Sequence, residues 1–297
     1  MEALATDYAA MAAALEKTGD YRVLRRLVPR TLTKPPPDNS KIAILLDFET
    51  TGLDTSRDEV IELGMVKFAY SDLDEVTAVL DTFSSFNEPS VSIPPEIVAL
   101  TGITDQMVSG QRIDLAAVSA FVADSNVIIA HHANFDRKFA ERGWPVFIDK
   151  NWACSAQEID WRKHGFDGSR LAYLLSGAGF FHDAHRALDD CQAQLEVLAR
   201  PLPDLNKTAL AVLLERARRP TIRIWAENSP FDLKDQLKKR GYRWNDGSDG
   251  RPKSWFVDVS EDLRDEEINY LKQSIYQRDV DLFTQRITAA NRFSIRA

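Results

Sequence analysis

The feature that most constrains the fold is an apolar run at residues 41–48. One acidic residue, Asp47, lies near the end of this run, and a second, Glu49, follows it directly. A short, continuous stretch of Ile, Leu and Ala between polar residues is typical of a buried central strand. Side chains two positions apart on a strand lie on the same face. Asp47 and Glu49 are therefore predicted to share one face at the end of this strand, while Phe48 points the other way, into the core.

Two later blocks bring acidic residues that can join this pair. Residues 131–136 are His-His-Ala-Asn-Phe-Asp, and Asp136 falls in the first turn of a predicted helix, where a carboxylate is favoured. Capping of that helix is therefore an alternative role for Asp136. Residues 185–190 are His-Arg-Ala-Leu-Asp-Asp, and a helix that begins near His185 can bring His185 and Asp190 to one cleft.

Together the three blocks supply one histidine and four carboxylates, namely His185, Asp47, Glu49, Asp136 and Asp190. Four convergent carboxylates repel one another unless cations lie between them, and hard cations such as Mg²⁺ and Mn²⁺ prefer oxygen ligands. A pair of such ions is a common device for cleaving phosphodiesters. A nearby histidine can take a proton from the attacking water. The pattern therefore predicts a divalent-metal site with hydrolytic chemistry.

The remaining histidines and the cysteines are weaker candidates for this site. Because no Cys/His cluster supports zinc, His131 and His132 are interpreted as residues beside the ligands or at the surface. His182 is assigned to a mobile loop. Cys154 and Cys191 fit no metal-binding spacing and are interpreted as buried thiols in a reducing compartment.

Residues 41–200 resemble the DEDDh 3′–5′ exonuclease family, which includes the proofreading subunit of the bacterial replicative polymerase. Three motifs carry the resemblance: acid-x-acid with Thr-Thr-Gly at 47–52, His-x-Ala-x-Phe-Asp at 131–136, and His-x-Ala-x-x-Asp at 185–190. The segments Ile-Pro-Pro-Glu at 93–96 and Thr-Gly-Ile-Thr at 101–104 are also similar to the family. The family often has asparagine at the position of His132.

The resemblance implies a ribonuclease H-like fold. It also implies a metal-dependent 3′–5′ exonuclease that hydrolyses single-stranded DNA by a two-metal mechanism and releases nucleoside monophosphates. The implied ligands of two Mg²⁺ or Mn²⁺ ions are Asp47, Glu49, Asp136 and Asp190, and the implied general base is His185. A histidine at this position, without a suitably placed tyrosine, argues against the tyrosine-bearing sister group.

Four further residues near the motifs are predicted to contact the substrate. Backbone groups at Thr50 and Thr51 would meet the terminal 3′-hydroxyl, and Leu53 and Phe135 would pack against the end base. Two other functions stay open. The first is a 3′–5′ exoribonuclease or oligoribonuclease, which would use the same catalytic residues. The second is a nucleic-acid-binding adaptor without turnover, and the intact site residues weigh heavily against it.

The chain is predicted to be an α/β protein of four parts. Residues 1–40 form a helical segment, with helices over 3–16 and 21–27, and a proline-rich linker. Residues 41–200 form a mixed sheet flanked by helices, residues 201–220 a helical connector, and residues 221–297 a small α/β domain. In the second part, helices are expected over 114–123, 134–143, 155–164, 169–177 and 185–198.

The last part carries a basic and aromatic segment at residues 234–253. It holds seven basic residues against three acidic ones, together with Tyr242 and Trp244. Interleaved basic and aromatic residues can hold single-stranded nucleic acid by phosphate contacts and base stacking, so Arg240, Arg243 and Trp244 are candidate contacts. The alternative is that the aromatic residues form the core of a small domain whose charges are solvated.

Charge is distributed unevenly along the 297 residues. Residues 41–200 hold 13 Lys and Arg against 25 Asp and Glu, so bound metals must neutralise the site and basic groups from elsewhere must meet the phosphate backbone. The expected partner is nucleic acid, with DNA favoured over RNA, and a polymerase or repair protein is a further option. No apolar run is long enough to span a bilayer, and the N-terminus does not resemble a secretory signal. A cytoplasmic protein without a membrane partner is therefore expected.

Overall fold

The computed structural model describes residues 7–33, 35–36, 38–248 and 250–297. Residues 3–6 of the predicted N-terminal helix, Pro37 of the linker and Asp249 of the basic segment lie outside the described residues. The described part of that helix is α1, Tyr8–Lys17, and the side chain of Asp7 caps it by accepting a backbone hydrogen bond in the first turn.

The described elements include four consecutive strands, then three helices, and then a mixed series of strands and helices. The strands are β1 Arg25–Arg26, β2 Lys41–Thr50, β3 Val60–Tyr70, β4 Val76–Phe86, β5 Val127–Ala130, β6 Trp152–Cys154, β7 Phe180–Phe181, β8 Thr221–Ala226, β9 Arg243–Trp244, β10 Trp255–Ser260 and β11 Thr284–Ile287. The later helices are α2 Pro95–Thr101, α3 Asp105–Val108, α4 Leu115–Val122, α5 Ala133–Gly143, α6 Leu171–Gly177, α7 Ala187–Leu198, α8 Ala209–Arg218, α9 Lys234–Lys239 and α10 Arg264–Tyr270. Short 3-10 turns cover Pro145–Phe147, Phe231–Leu233 and Glu261–Leu263, and a π-helical turn covers Leu271–Tyr276. The helices predicted over 114–123, 134–143, 169–177 and 185–198 are confirmed as α4, α5, α6 and α7.

A five-stranded mixed sheet with β2 at its centre forms the first core. Its strand order is β4-β3-β2-β5-β6, with β2, β3 and β4 antiparallel and β5 and β6 parallel to β2. Side chains of β2 alternate between two apolar clusters, so that Leu45 packs on the side of α7 and Leu46 on the side of α5. The predicted α/β class, a ribonuclease H-like mixed sheet flanked by helices, is confirmed.

The predicted helix over residues 21–27 is wrong. Arg25–Arg26 instead form β1, which pairs in parallel with β7. The N–H of Arg25 donates to the carbonyl of Gly179 at 2.9 Å, and the N–H of Leu27 donates to that of Phe181 at 2.8 Å. So short a segment is a marginal helix by itself, and β7 offers its backbone groups these partners instead.

The predicted helix over residues 155–164 is also wrong, because this segment forms turns. Glu158 pairs with Arg292 from the last part of the chain. The indole N–H of Trp161 donates to the carbonyl of Ser155 at 2.7 Å. These tertiary contacts outweigh the local helical propensity.

A second, antiparallel sheet is built from residues 221–297 in the order β11-β8-β10-β9. One face packs against α9, α10 and the π-helical turn around a core that includes Ile224, Leu237 and Leu271. The opposite face carries Arg223 and Trp225, since these residues alternate with Ile224 along β8.

The end of the described chain packs against the first sheet. The guanidinium of Arg137 on α5 is fully buried and donates to the carbonyls of Ala290 at 2.6 Å and Arg292 at 2.8 Å. The C-terminal sheet is thereby held next to α5, the helix that carries Asp136. Within the described ranges, no helix combines the length and the apolar character needed to cross a membrane.

Candidate active site

Three carboxylates converge at the end of β2. Asp47 and Glu49 share one face of the strand, and Asp190 comes from the first turn of α7. One oxygen from each of the three side chains lies within 4.8 Å of the other two. Carboxylate oxygens this close together form a donor set that fits a hard divalent cation.

The fourth predicted carboxylate, Asp136, faces the same cleft from the first turn of α5. Its side chain is buried and does not join the cluster of Asp47, Glu49 and Asp190. Burial raises the pKa of Asp136 to about 8, although backbone hydrogen bonds, including one with Phe48, oppose the shift. The chain thus presents three carboxylates as a cluster and a fourth beside them.

Charge repulsion and desolvation act together on this cluster. Burial is the main cause that raises the pKa of Asp47 well above its usual value, and the charges of Asp136 and Asp190 add to it. Burial likewise raises the pKa of Glu49 to about 8, with the charge of Asp190 as the next cause. Cations bound between these groups would relieve the repulsion, so the donor set fits divalent metal ions.

Two histidines approach Asp190 from the segment before α7. Nε2 of His182 lies 2.6 Å from one oxygen of Asp190, and the backbone N–H of His185 donates to the other oxygen at 2.9 Å. His185 has a φ of 67°, a left-handed conformation that leads the chain into α7. Its exposed side chain lines the cleft. The structure therefore brings His185 to the cleft and adds His182, which the sequence-based interpretation assigned to a mobile loop.

Glu62 and Gly64 on β3 fix the start of α7, and sequence reasoning missed both. The buried carboxylate of Glu62 pairs with Nη2 of Arg186 at 2.8 Å and accepts the N–H of Ala187 at 3.0 Å. A Cβ at Gly64 would overlap the backbone of Ala187. Because Gly64 has no side chain, α7 can lie close to the sheet, which brings Asp190 into the cluster. An acid within the apolar run of β3 is the sequence signal that marks Glu62.

His131 and His132 line the cleft but are not members of the described carboxylate cluster. Nδ1 of His131 is 2.8 Å from the hydroxyl of Ser155, and Nε2 is 2.7 Å from the carbonyl of Ser169. Burial lowers the pKa of His131 to about 4, so the ring is neutral near pH 7. Through these two contacts the ring connects the segments that carry Ser155 and Ser169. Burial also lowers the pKa of His132, which precedes α5.

The cleft around the carboxylates has a volume of about 730 Å³. Leu53 is 85% exposed at the cleft, and Phe135 lines it as well. Thr50 is the last residue of β2 and Thr51 begins the turn after it, and both are buried. The hydroxyl of Thr50 donates to a carbonyl within the turn at 2.6 Å, and the N–H of Thr51 donates to the carbonyl of Glu59 at 2.8 Å. The structure thus brings Leu53 and Phe135 to the cleft and leaves Thr50 and Thr51 outside its lining.

The predicted arginine contacts, Arg240 at the end of α9 and Arg243 on β9, do not line this cleft. Arg240 pairs with Glu267 at 2.9 Å on the helical side of the sheet. Arg243 on β9 pairs with Asp258 of β10 at 2.9 Å. The two arginines therefore serve different surfaces, and only Arg243 reaches the side that faces the first sheet.

The aromatic residues of the same segment divide between core and surface. Tyr242 is buried, and its hydroxyl donates to Glu267 at 2.8 Å, as the core interpretation requires. Trp244 is 50% exposed and stands edge-on to Trp255, with ring centroids 5.5 Å apart. Trp244 does not line the carboxylate cleft.

Comparison with known families decides the identity of the first core. The model of the RNase T exonuclease family matches residues 44–198, slightly more than half of the chain. The chain belongs to this exonuclease family. The matched stretch contains the whole carboxylate cluster and His185, and residues 44–198 are therefore called the exonuclease domain.

Relatives of the exonuclease domain include polymerase proteins. The chain is 30% identical over 188 residues to a PolC-type DNA polymerase III of Thermotoga petrophila, a match that covers 58% of this chain and 13% of that protein. It is 30% identical over 162 residues to the DNA polymerase III epsilon subunit of Treponema pallidum, covering 51% of this chain and 72% of that one. A zinc-bound structure of E. coli exonuclease I with single-stranded DNA is 14% identical, with a TM-score of 0.49, and the match covers 74% of this chain and 63% of that one. The chain therefore spans only a small part of its PolC-type relatives.

Proposed function

We propose that the protein is a metal-dependent exonuclease that removes nucleotides from the 3′ end of single-stranded DNA and releases nucleoside monophosphates. The supporting observation is the convergence of Asp47, Glu49 and Asp190 within 4.8 Å, in a cleft that is also lined by an exposed His185. Metal-dependent removal of a terminal nucleotide needs cation ligands, a proton acceptor and room for the end of the strand, and the residues of this cleft support each of these roles.

The carboxylates are the cation ligands of this proposal. Asp47, Glu49 and Asp190 would hold the ions, and Asp136 would complete the ligand set from α5. When bound, two Mg²⁺ or Mn²⁺ ions would supply the positive charge that stabilises the phosphate as its bond to the leaving oxygen breaks. Because burial raises the pKa values of Asp47 and Glu49, these groups give up protons as the cations bind.

His185 is the proton acceptor of this proposal. Its exposed imidazole takes a proton from the attacking water, while its own backbone N–H holds Asp190 at 2.9 Å. A backbone hydrogen bond thus connects the proposed base, His185, directly to a proposed metal ligand, Asp190. His182 orients the carboxylate of Asp190 through its 2.6 Å contact.

Leu53 and Phe135 are the proposed contacts of the terminal base. Leu53 exposes an apolar side chain to the cleft, and Phe135 packs on Phe139 with ring centroids 4.9 Å apart. Thr51 is less suited to bind the terminal hydroxyl, because its N–H is already bonded to Glu59. The similarity to polymerase III proteins supports DNA as the substrate and a polymerase or repair protein as the partner.

The test is degradation of 5′-labelled single-stranded DNA and RNA of one sequence, with Mg²⁺ or Mn²⁺ and with EDTA. We expect a ladder of shortened labelled products from DNA that disappears with EDTA, because removal from the 3′ end keeps the label on the polymer. Asp47→Ala should lower the rate more than about a hundredfold, since even residues behind the metal ligands contribute about 10–100-fold.

Asp54→Ala is the matched control, because Asp54 is an exposed carboxylate in the loop after β2 that does not line the cleft. Immediate release of labelled mononucleotide would indicate the opposite polarity, and a ladder from RNA alone would replace the proposed substrate. A rate that EDTA or Asp47→Ala leaves unchanged would contradict the metal-dependent mechanism. Absence of any degradation would favour the binding adaptor.

A further inference from the structure

A second cavity, of about 340 Å³, lies between the exonuclease domain and the C-terminal sheet. Most of its charged lining is cationic, namely Lys138, Arg216, Arg223, Arg243, Arg251 and Arg292. The acidic side chains of the lining are Glu158 and Asp258. This region is called the arginine cavity.

The two carboxylates of the arginine cavity are already bonded to arginines. Asp258 accepts Nε of Arg223 at 2.7 Å and Nη2 of Arg243 at 2.9 Å, and Glu158 pairs with Arg292. Even without Lys138 and Arg251, four arginines of the lining face these two carboxylates, so the cavity keeps a positive excess. Among the described residues, Nη1 of Arg223 is buried without a hydrogen-bond partner.

The arrangement of these arginines favours an anion with several oxygen atoms. Burial, followed by the nearby charge of Arg292, lowers the pKa of Arg216, which indicates that like charges are crowded here. Phosphate relieves such crowding, and its oxygens match the planar donors of guanidinium in bidentate geometry.

The arginine cavity adjoins the acidic cleft. Asn134 and Gln157 line both of them, and Asn134 directly precedes Phe135 of the cleft. A polynucleotide whose end lies at the carboxylates must extend away from them, and its next phosphates need cations. The cavity offers such cations next to the cleft.

Aromatic side chains accompany the arginines on this face of the C-terminal sheet. The ring centroid of Phe256 is 4.8 Å from the guanidinium carbons of both Arg223 and Arg243, and 4.9 Å from the ring of Trp225. Trp225 is buried and neither ring lines the cavity, so the rings pack against the guanidinium groups and hold them at the cavity wall.

We propose that the arginine cavity binds the phosphate backbone of the nucleic-acid strand whose 3′ end occupies the acidic cleft. This inference rests on the proposed function, since the cleft must hold the end of that strand. The C-terminal sheet then belongs to the substrate site, and it supplies the basic groups that the acidic exonuclease domain lacks.

The test measures binding to the full chain in EDTA, by fluorescence anisotropy of a 5′-fluorescein single strand of 20 nucleotides and of a labelled dinucleotide. The double variant Arg216→Gln, Arg243→Gln should bind the long strand about tenfold more weakly at low salt, because it removes two cationic groups that meet phosphates. Dinucleotide binding should fall less. The slope of log affinity against log salt should become shallower by about 0.7 for each phosphate that the variant no longer neutralises.

The matched control is Arg264→Gln, Arg278→Gln, which removes the same two charges from α10 and from the segment after the π-helical turn. This control should bind both strands as the parent does. Equal losses for the two lengths, an equal loss in the control, or unchanged binding in the first variant would each overturn the proposal. If the first variant does not melt cooperatively, Arg216→Gln alone is judged by the same criteria.

Inorganic phosphate is the second probe. At equal ionic strength, sodium phosphate should displace the long strand from the parent more effectively than sodium chloride does. This difference between the two salts should shrink in the first double variant. Phosphate binding that is abolished in the variant while the long strand binds as before would identify a free-anion site and overturn the proposal. None of these measurements needs turnover, so failure of the proposed nuclease activity and failure of this inference are distinguishable.

Discussion

The acidic cleft and the arginine cavity lie next to each other, but their carboxylates have opposite surroundings. In the cleft, Asp47 and Glu49 face further carboxylates, and burial raises their pKa values. In the cavity, Asp258 lies between Arg223 and Arg243 and is bonded to both. Acids gathered with acids form a site for cations, whereas acids outnumbered by arginines leave a site for anions.

The difference arises from how each sheet presents its side chains. The cleft takes carboxylates from β2, α5 and α7, three elements that meet where β2 ends. The carboxylate of Asp258 in the cavity belongs to one face of the C-terminal sheet, where Arg223 and Asp258 are direct cross-strand partners. Opposite charges at such positions stabilise the pairing. The cleft therefore needs exogenous cations, while the C-terminal sheet satisfies its own carboxylates.

Replacing His185 should have the largest effect on the chemistry of the cleft. His185→Ala is expected to lower kcat by about 10²–10⁴-fold, the range that a general base contributes. His182→Ala should instead raise the Mn²⁺ concentration needed for half-maximal rate by about 10–100-fold, because His182 contacts Asp190, a proposed metal ligand. Steady-state rates across a Mn²⁺ titration separate the two effects.

His164→Gln is the control for both histidine variants, because His164 pairs with Asp204 and does not line the cleft. It should leave kcat and the Mn²⁺ requirement unchanged. If His182→Ala lowers kcat at saturating Mn²⁺ more than His185→Ala does, the assignment of the base is reversed.

Closing the gap at Gly64 should test whether the carboxylates depend on the close approach of α7. Gly64→Ala is expected to lower the free energy of unfolding by about 1–3 kcal/mol, because a Cβ there overlaps the backbone of Ala187. Activity per folded molecule should fall too, since α7 carries Asp190. Gly143→Ala is the control, as a Cβ at Gly143 has no neighbour within 4 Å. Equal urea-unfolding curves for the two variants would contradict this role of Gly64.

The parts of the cleft that follow from local patterns could be predicted from the sequence. An apolar run predicts β2, and the strand period of two places Asp47 and Glu49 on one face. The family motifs add Asp136, Asp190 and His185 by position. These residues needed no knowledge of how one element packs on another.

Contacts between distant segments could not be predicted in this way. The pairing of Glu62 with Arg186 depends on where α7 lies against β3, and the contact of His182 with Asp190 depends on the path of an irregular segment. The arginine cavity is harder still, because its cations come from α5, α8, strands β8 and β9, the loop between β9 and β10, and the segment after β11. Arg243 and Arg251 stood in the basic and aromatic segment 234–253, and of the two only Arg243 was named as a candidate nucleic-acid contact.

A pH series should sharpen the contrast between the two sites. The folded pKa values of Glu49 and Asp136 are about 8, whereas the ordinary values are 4.5 and 3.8. Between these values the folded chain keeps protons that the unfolded chain releases. In EDTA, the free energy of unfolding should therefore fall as pH rises from 5 to 8, by at most about 1.4 kcal/mol per pH unit for each such proton.

Urea unfolding at each pH is the measurement, and added Mn²⁺ should reverse the loss near pH 8. The double variant Arg216→Gln, Arg243→Gln should keep the same pH slope as the parent, because guanidinium groups stay charged across this range. Stability that rises from pH 5 to 8 in EDTA would contradict the account of the acidic cleft.

Removing the exposed leucine at the cleft should have the smallest effect. Leu53→Ala is expected to raise KM for single-stranded DNA about three- to tenfold, since partial burial of a leucine against a base contributes on the order of 1 kcal/mol. Stability should not change, because Leu53 is 85% exposed. Leu73→Ala is the control, since Leu73 is 75% exposed in the turn between β3 and β4. An unchanged KM for Leu53→Ala would remove the base contact, whereas a rise confined to Leu53 would place the end of the strand at the acidic cleft, so that its phosphates can continue to the arginine cavity.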